Sequence, residues 1–90
     1  MEGRRLYVGG LPYSTTDMQL EEIFSAHGSV ESAQVIIDKF TGRSRGFGFV
    51  EMGTPDEAEA AVNALNETDL GGRTITVNEA RPQRRDFGRR

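Results

Sequence analysis

Apolar positions along the chain fall into short segments whose period switches between the two of a strand and the roughly 3.6 of a helix. Leu6-Tyr7-Val8 is β-branched and aromatic and runs into Gly9-Gly10-Leu11-Pro12, which predicts a short strand entering a loop. Thr16 and Gln19 have capping-box spacing, Leu20, Ile23 and Phe24 recur at helical spacing, and Gly28 supplies a stop. Together they predict an amphipathic helix of about eleven residues. Alternation returns at Val30, with Ala33, Val35 and Ile37 on one side and Gln34 and Ile36 on the other, as in a half-buried strand. Asp38 to Ser44 reads as a polar, basic loop around Gly42. Gly46-Phe47-Gly48-Phe49-Val50-Glu51-Met52 alternates again. Thr54-Pro55-Asp56-Glu57 then combines an N-cap threonine, a proline at the first helical position and a glutamate three residues on, and Ala58, Ala61, Val62 and Leu65 give that helix a buried stripe. Gly71-Gly72 makes a turn into a last strand, Thr74 to Asn78, with Ile75 and Val77 inward. Beyond Ala80 the chain is arginine-rich without hydrophobic period, as in a flexible tail.

The element order β-α-β-β-α-β predicts an α+β, ferredoxin-like sandwich: a four-stranded antiparallel sheet with both helices on one face. Its other face is bare and should be polar. Strand parity nevertheless puts Tyr7, Phe47 and Phe49 there. The competing assignment makes the phenylalanines core residues. It would send Val50 and Met52 into solvent beside Gly46 and Gly48, and Leu6 and Val8 outward in place of Tyr7, so the aromatics are assigned outward. Large apolar groups clustered on a surface point to a ligand or partner.

The 90 residues carry a net charge of −3, no cysteine, no tryptophan and one histidine. That size excludes a multidomain enzyme, and the lack of thiols excludes disulfide frameworks, thiolate metal sites and cysteine nucleophiles. No cofactor is expected. Neither a signal-peptide pattern nor an apolar run of membrane length occurs, so a cytoplasmic monomer with no membrane partner is expected. An acidic total argues against nucleic acid, but its distribution does not: Arg81, Arg84, Arg85, Arg89 and Arg90 against Asp86 put +4 on residues 81–90, leaving −7 on residues 1–80. Arg4 and Arg5 precede the first strand, Lys39, Arg43 and Arg45 bracket the centre, and the acids Glu21, Glu22, Asp56, Glu57 and Glu59 lie on the helices.

Arg45-Gly46-Phe47-Gly48-Phe49-Val50-Glu51-Met52 resembles the octamer of the RNA recognition motif family, with Met52 in place of its final aromatic. Leu6-Tyr7-Val8-Gly9-Gly10-Leu11 resembles the companion hexamer, with Gly10 where asparagine is usual. The likeness covers residues 4–82, and it is greatest to small single-motif bacterial proteins and to the glycine-rich type of plants. It implies a motif domain over residues 1–82 and an arginine-rich flexible tail over residues 83–90. It further implies that Tyr7 and Phe49 stack bases, Phe47 packs on sugars and Arg45 contacts a phosphate. Arg43, Lys39 and Gln34 join the expected RNA-binding set, and Asn78 and Arg81 would add contacts to base edges. Exposed aromatics accept any base, and glycines between them let nucleotides approach the backbone.

Stacking is worth about 1–3 kcal/mol per base, whereas three neutralised phosphates imply only about a 20-fold loss between 50 and 200 mM salt. Stacking should therefore dominate, with micromolar affinity near about −8 kcal/mol. The alternatives are single-stranded DNA, which shares the stacking chemistry, and a protein partner on the helical face. His27 is read as a helix-end residue, the helix acids as a solvated face, and Asn66-Glu67-Thr68 as a chance glycosylation match.

Overall fold

The computed structural model describes residues 3–80, so Arg81 and the predicted tail at residues 83–90 lie outside the described residues. Its elements are β1 (Arg5–Gly9), α1 (Asp17–Ser25), β2 (Val30–Ile37), β3 (Ser44–Met52), α2 (Pro55–Leu65), β4 (Asp69–Leu70), β5 (Arg73–Thr74) and β6 (Thr76–Glu79). The main sheet has the order β2-β3-β1-β6 with every neighbouring pair antiparallel. This is the α+β, ferredoxin-like arrangement expected.

Both helices start where their capping residues dictate. The Thr16 hydroxyl accepts from the Gln19 N–H at 3.1 Å while the Gln19 side chain accepts from the Thr16 N–H at 3.0 Å, closing a full capping box. Thr54 accepts from the Glu57 N–H at 3.1 Å, and Pro55 opens α2. Leu20 and Phe24 of α1 and Ala58 and Ala61 of α2 meet Leu6, Val8, Val35, Val50, Met52, Ile75 and Val77 in one buried core, so both helices cover the same sheet face. Gly48 sits on that inner face between Val8 and Val35, and a Cβ there would be driven into the Gln34 carbonyl. β2 and β3 pack as closely as they do because position 48 has no side chain.

Four expectations are corrected. α1 has nine residues and ends at Ser25 with Ala26 as its C-cap, ahead of Gly28. The β2–β3 register shifts between Val35 and Ile37, so the alternation read along β2 breaks there: Ile37 is 51% exposed and Ile36 is half-buried. The loop before β3 is shorter than read, since Ser44 already pairs with Ile37. The last predicted strand divides into β5 and β6, and β5 forms a small hairpin with β4. The turn of that hairpin is Gly71-Gly72, with φ of 58° and 87°, which two side-chain-bearing residues would rarely both adopt.

Candidate nucleic-acid interface

The sheet face away from the helices carries a lateral row set by strand register: Gln34 opposite Phe49, Phe49 opposite Tyr7, and Tyr7 opposite Asn78. One step along lies Phe47 opposite Gly9, with Thr76 on the far side of Gly9. The three rings form a near-equilateral triangle, with centroids 5.8 Å (Tyr7–Phe47), 5.9 Å (Tyr7–Phe49) and 6.1 Å (Phe47–Phe49) apart. The two contacts of Phe49 are edge-on, and Tyr7 and Phe47 are tilted by 33°, all within the range that aromatic quadrupoles favour. Tyr7 remains 36% exposed, and Phe47 and Phe49 are half-buried against each other. Meanwhile Val50 and Met52 are fully buried on the opposite side, as parity requires.

Glycine shapes this surface directly. A Cβ at Gly9 would lie 2.7 Å from the Tyr7 hydroxyl oxygen and 2.9 Å from its Cε2, so the Tyr7 ring lies down along its own strand over position 9. Gly10 has φ of 75°, a conformation that glycine adopts freely and that asparagine tolerates better than most residues.

The cations divide into groups. Arg43 and Arg45 line a groove with Gln34, Ser44, Tyr13 and Asp38 beside the ends of β2 and β3. Lys39 stands outside that groove in the β2–β3 loop next to Phe40. Arg4 is held by Glu51 in a 3.0 Å ion pair and reaches the Met52 carbonyl at 3.4 Å, so its charge is partly neutralised. Arg5 stacks its guanidinium 4.7 Å from the centre of the Phe49 ring, covering one approach to that platform.

Two exposed aromatics were not assigned to the site from sequence. Phe40, in the loop read as polar and basic, is 94% exposed at a tip fixed by hydrogen bonds from the Phe40 N–H to the Asp38 carboxylate (2.8 Å) and from the Gly42 N–H to the Asp38 carbonyl (2.7 Å). Tyr13, in the loop after β1, is 67% exposed. Neither belongs to a periodic segment. The signal available for both was an aromatic standing among turn formers.

An antiparallel sheet open on one side, with an aromatic cluster at its centre flanked by polar and basic groups, is the layout of a base-stacking module. The chain belongs to the RNA recognition motif family, whose model matches residues 6–76. It is 52% identical over 82 residues to a chloroplastic 28 kDa ribonucleoprotein of Spinacia oleracea, covering 91% of this chain and 35% of the relative. It is 48% identical to the glycine-rich RNA-binding protein blt801 of Hordeum vulgare, covering 91% of this chain and 51% of that one. The chain thus spans between about a third and a half of the length of these two relatives. Among solved structures, the RNA-binding protein PG1 superposes with a TM-score of 0.83 at 43% identity, over 89% of this chain and 99% of the other.

Proposed function

We propose that this chain is a non-catalytic module that binds single-stranded RNA on the open face of its sheet. Bases stack on Tyr7 and Phe49, a sugar packs on Phe47, Arg45 and Arg43 hold phosphates, and Gln34 and Asn78 bond base edges. Lys39 acts from the loop as a more distant phosphate contact. Arg81 belongs to this set by family likeness alone, lying outside the described residues. The observation that carries the reading is the single in-register row Gln34–Phe49–Tyr7–Asn78, with two stacking rings at its centre and a hydrogen-bonding side chain at each end. The names of relatives support it: blt801 and PG1 are both RNA-binding proteins by name.

The test is titration of labelled short single strands with the parent and with Tyr7→Ala plus Phe49→Ala. Removing two platforms at about 1–3 kcal/mol each should weaken binding by at least about thirty-fold while the thermal transition is kept. Unchanged binding would sink the proposal. Matched RNA and DNA strands separate the two nucleic acids, and chemical-shift changes confined to Leu20, Val62 and their helical neighbours would instead favour a protein partner. A monomer in the cytoplasm is a separate proposal. The chloroplastic ribonucleoprotein lends that location no support, and among the described residues no helix is long and apolar enough to cross a membrane. Cell fractionation and sedimentation check both points.

A further inference from the structure

Among the described residues Phe40 is the most exposed large apolar side chain, and its loop is closed on itself. Besides the Phe40 N–H, the Asp38 carboxylate takes the Thr41 N–H at 3.4 Å, and the Asp38 N–H donates to the Arg43 carbonyl at 2.8 Å. The turn therefore holds the backbone while the ring stands outside it. Neither Phe40 nor the exposed Lys39 beside it lines the groove that contains Arg43 and Arg45. A phenylalanine presented this way, with a cation next to it, is a knob without a seat in its own molecule.

A matching hole lies between the loop after β1, α1 and the β4–β5 hairpin. Pro12, Ile23 and Leu70, each half-buried, line a groove of about 350 Å³ there together with the exposed Glu22, which leaves room for one aromatic ring. An apolar groove beside an acid is a poor seat for a phosphate chain and a fitting one for a phenylalanine next to a lysine. Leu70 comes from the hairpin that leads into β6, whereas Phe40 follows β2, so knob and hole are carried next to opposite edges of the main sheet. The row Gln34–Phe49–Tyr7–Asn78 runs across the strands from β2 to β6. A nucleic-acid strand that follows this row through two molecules brings the β2 edge of one toward the β6 edge of the next.

We propose that copies of this chain on one RNA strand dock head to tail, Phe40 of each entering the Pro12, Ile23 and Leu70 groove of its neighbour with Lys39 against Glu22. The contact is heterologous, so it repeats along a strand instead of closing. One side chain in a small groove falls far below the roughly 1,000 Å² that a stable interface needs, so free copies stay monomeric. A shared strand raises their effective concentration to about millimolar, and there the contact counts. This inference rests on the RNA-binding reading above and adds cooperativity between copies to it.

Labelled mixed-sequence RNA strands test it, a short one that holds a single copy and a longer one that holds two. On the longer strand the second parent molecule should bind about tenfold tighter than the first after the statistical correction, the lower end of what burying a phenylalanine yields. Phe40→Ser should abolish that ratio and bind the short strand like the parent. Lys39→Glu and Glu22→Lys should each lower the ratio at low salt, and the double variant should restore it. A parent that shows no such ratio overturns the docking, as does a ratio that Phe40→Ser leaves intact. Weaker binding of Phe40→Ser to the short strand overturns it too, because Phe40 then touches RNA and not a second copy. Each of those leaves the sheet reading intact. If the parent binds neither strand, the RNA-binding reading fails first and takes the docking with it.

Discussion

Tyr7 owes its orientation to a residue that has no side chain. The ring lies over Gly9 at distances that a Cβ would violate. Gly9→Ala is therefore expected to tip the Tyr7 ring up and out of the triangle. Affinity for single strands should drop about fivefold or more, the lower end of one stacking contribution, while the unfolding free energy measured in urea changes by less than about 1 kcal/mol. Titration beside loss of the Tyr7–Phe49 ring contacts in NMR checks this, and parent-like binding would show that the seat over Gly9 does not set the platform. At this scale the sequence was informative where a residue had buried neighbours of fixed parity. Val50 and Met52 had to face inward, and that assigned Phe47 and Phe49. It was uninformative about Arg5, because nothing in a strand's alternation says which way a long arginine folds, and about Phe40 and Tyr13, whose loops impose no period. Phe40 offers the contrast to Phe24: Phe40→Ser should leave stability within about 0.5 kcal/mol, whereas Phe24→Ala in the core should cost about 3–5 kcal/mol in chemical denaturation.

Each edge strand of the main sheet has a backbone donor capped by a side chain from a helix end. On β2 the Val35 N–H donates to the Asp17 carboxylate at 2.7 Å, and on β6 the Val77 N–H donates to the Asn66 amide oxygen at 3.0 Å. These bonds give otherwise unpaired edge groups a partner and tie α1 and the end of α2 to opposite sides of the sheet. Asp17→Ala should cost about 1.5–3 kcal/mol, as expected for a bond to a charged acceptor, and Asn66→Ala about 1 kcal/mol. The two sites share no partner, so a double variant should be additive in urea melts, and Asn66→Asp, which keeps an acceptor, should recover most of the single loss. Coupling well above about 0.5 kcal/mol would contradict the view of two independent clasps. Helix starts were legible because a cap is a local device of three or four residues. The clasps were not, because Asp17 and Val35 are brought together only by the crossover. Asn66, set aside as a chance sequence match, turned out to have a structural partner. The β4–β5 hairpin was half-legible: Gly71-Gly72 marked its turn, but two-residue strands carry no alternation to read.

Among the described residues the charges are only partly sorted by face. The helices carry Glu21, Glu22, Asp56 and Glu59 in exposed positions, while Arg43 and Arg45 line the groove that opens beside the sheet aromatics. A ligand on the open face meets Arg43 and Arg45 locally despite the −3 total, with Asp17 and Asp38 lining the same groove, while the helix acids act at longer range through solvent, where salt screens them. With about three phosphates neutralised, the slope of log affinity against log salt should be near −2, about a 20-fold loss from 50 to 200 mM, or under about 2 kcal/mol. Two platforms together contribute more than that. The two terms should therefore separate experimentally. Tyr7→Ala plus Phe49→Ala should lower affinity at every salt concentration with the slope preserved, whereas Arg43→Gln and Arg45→Gln should each flatten it by about 0.7 with a smaller loss at 200 mM. A thousand-fold fall in parent affinity over the same salt range would reverse the ranking, making phosphate contacts the main source of binding and stacking the minor one.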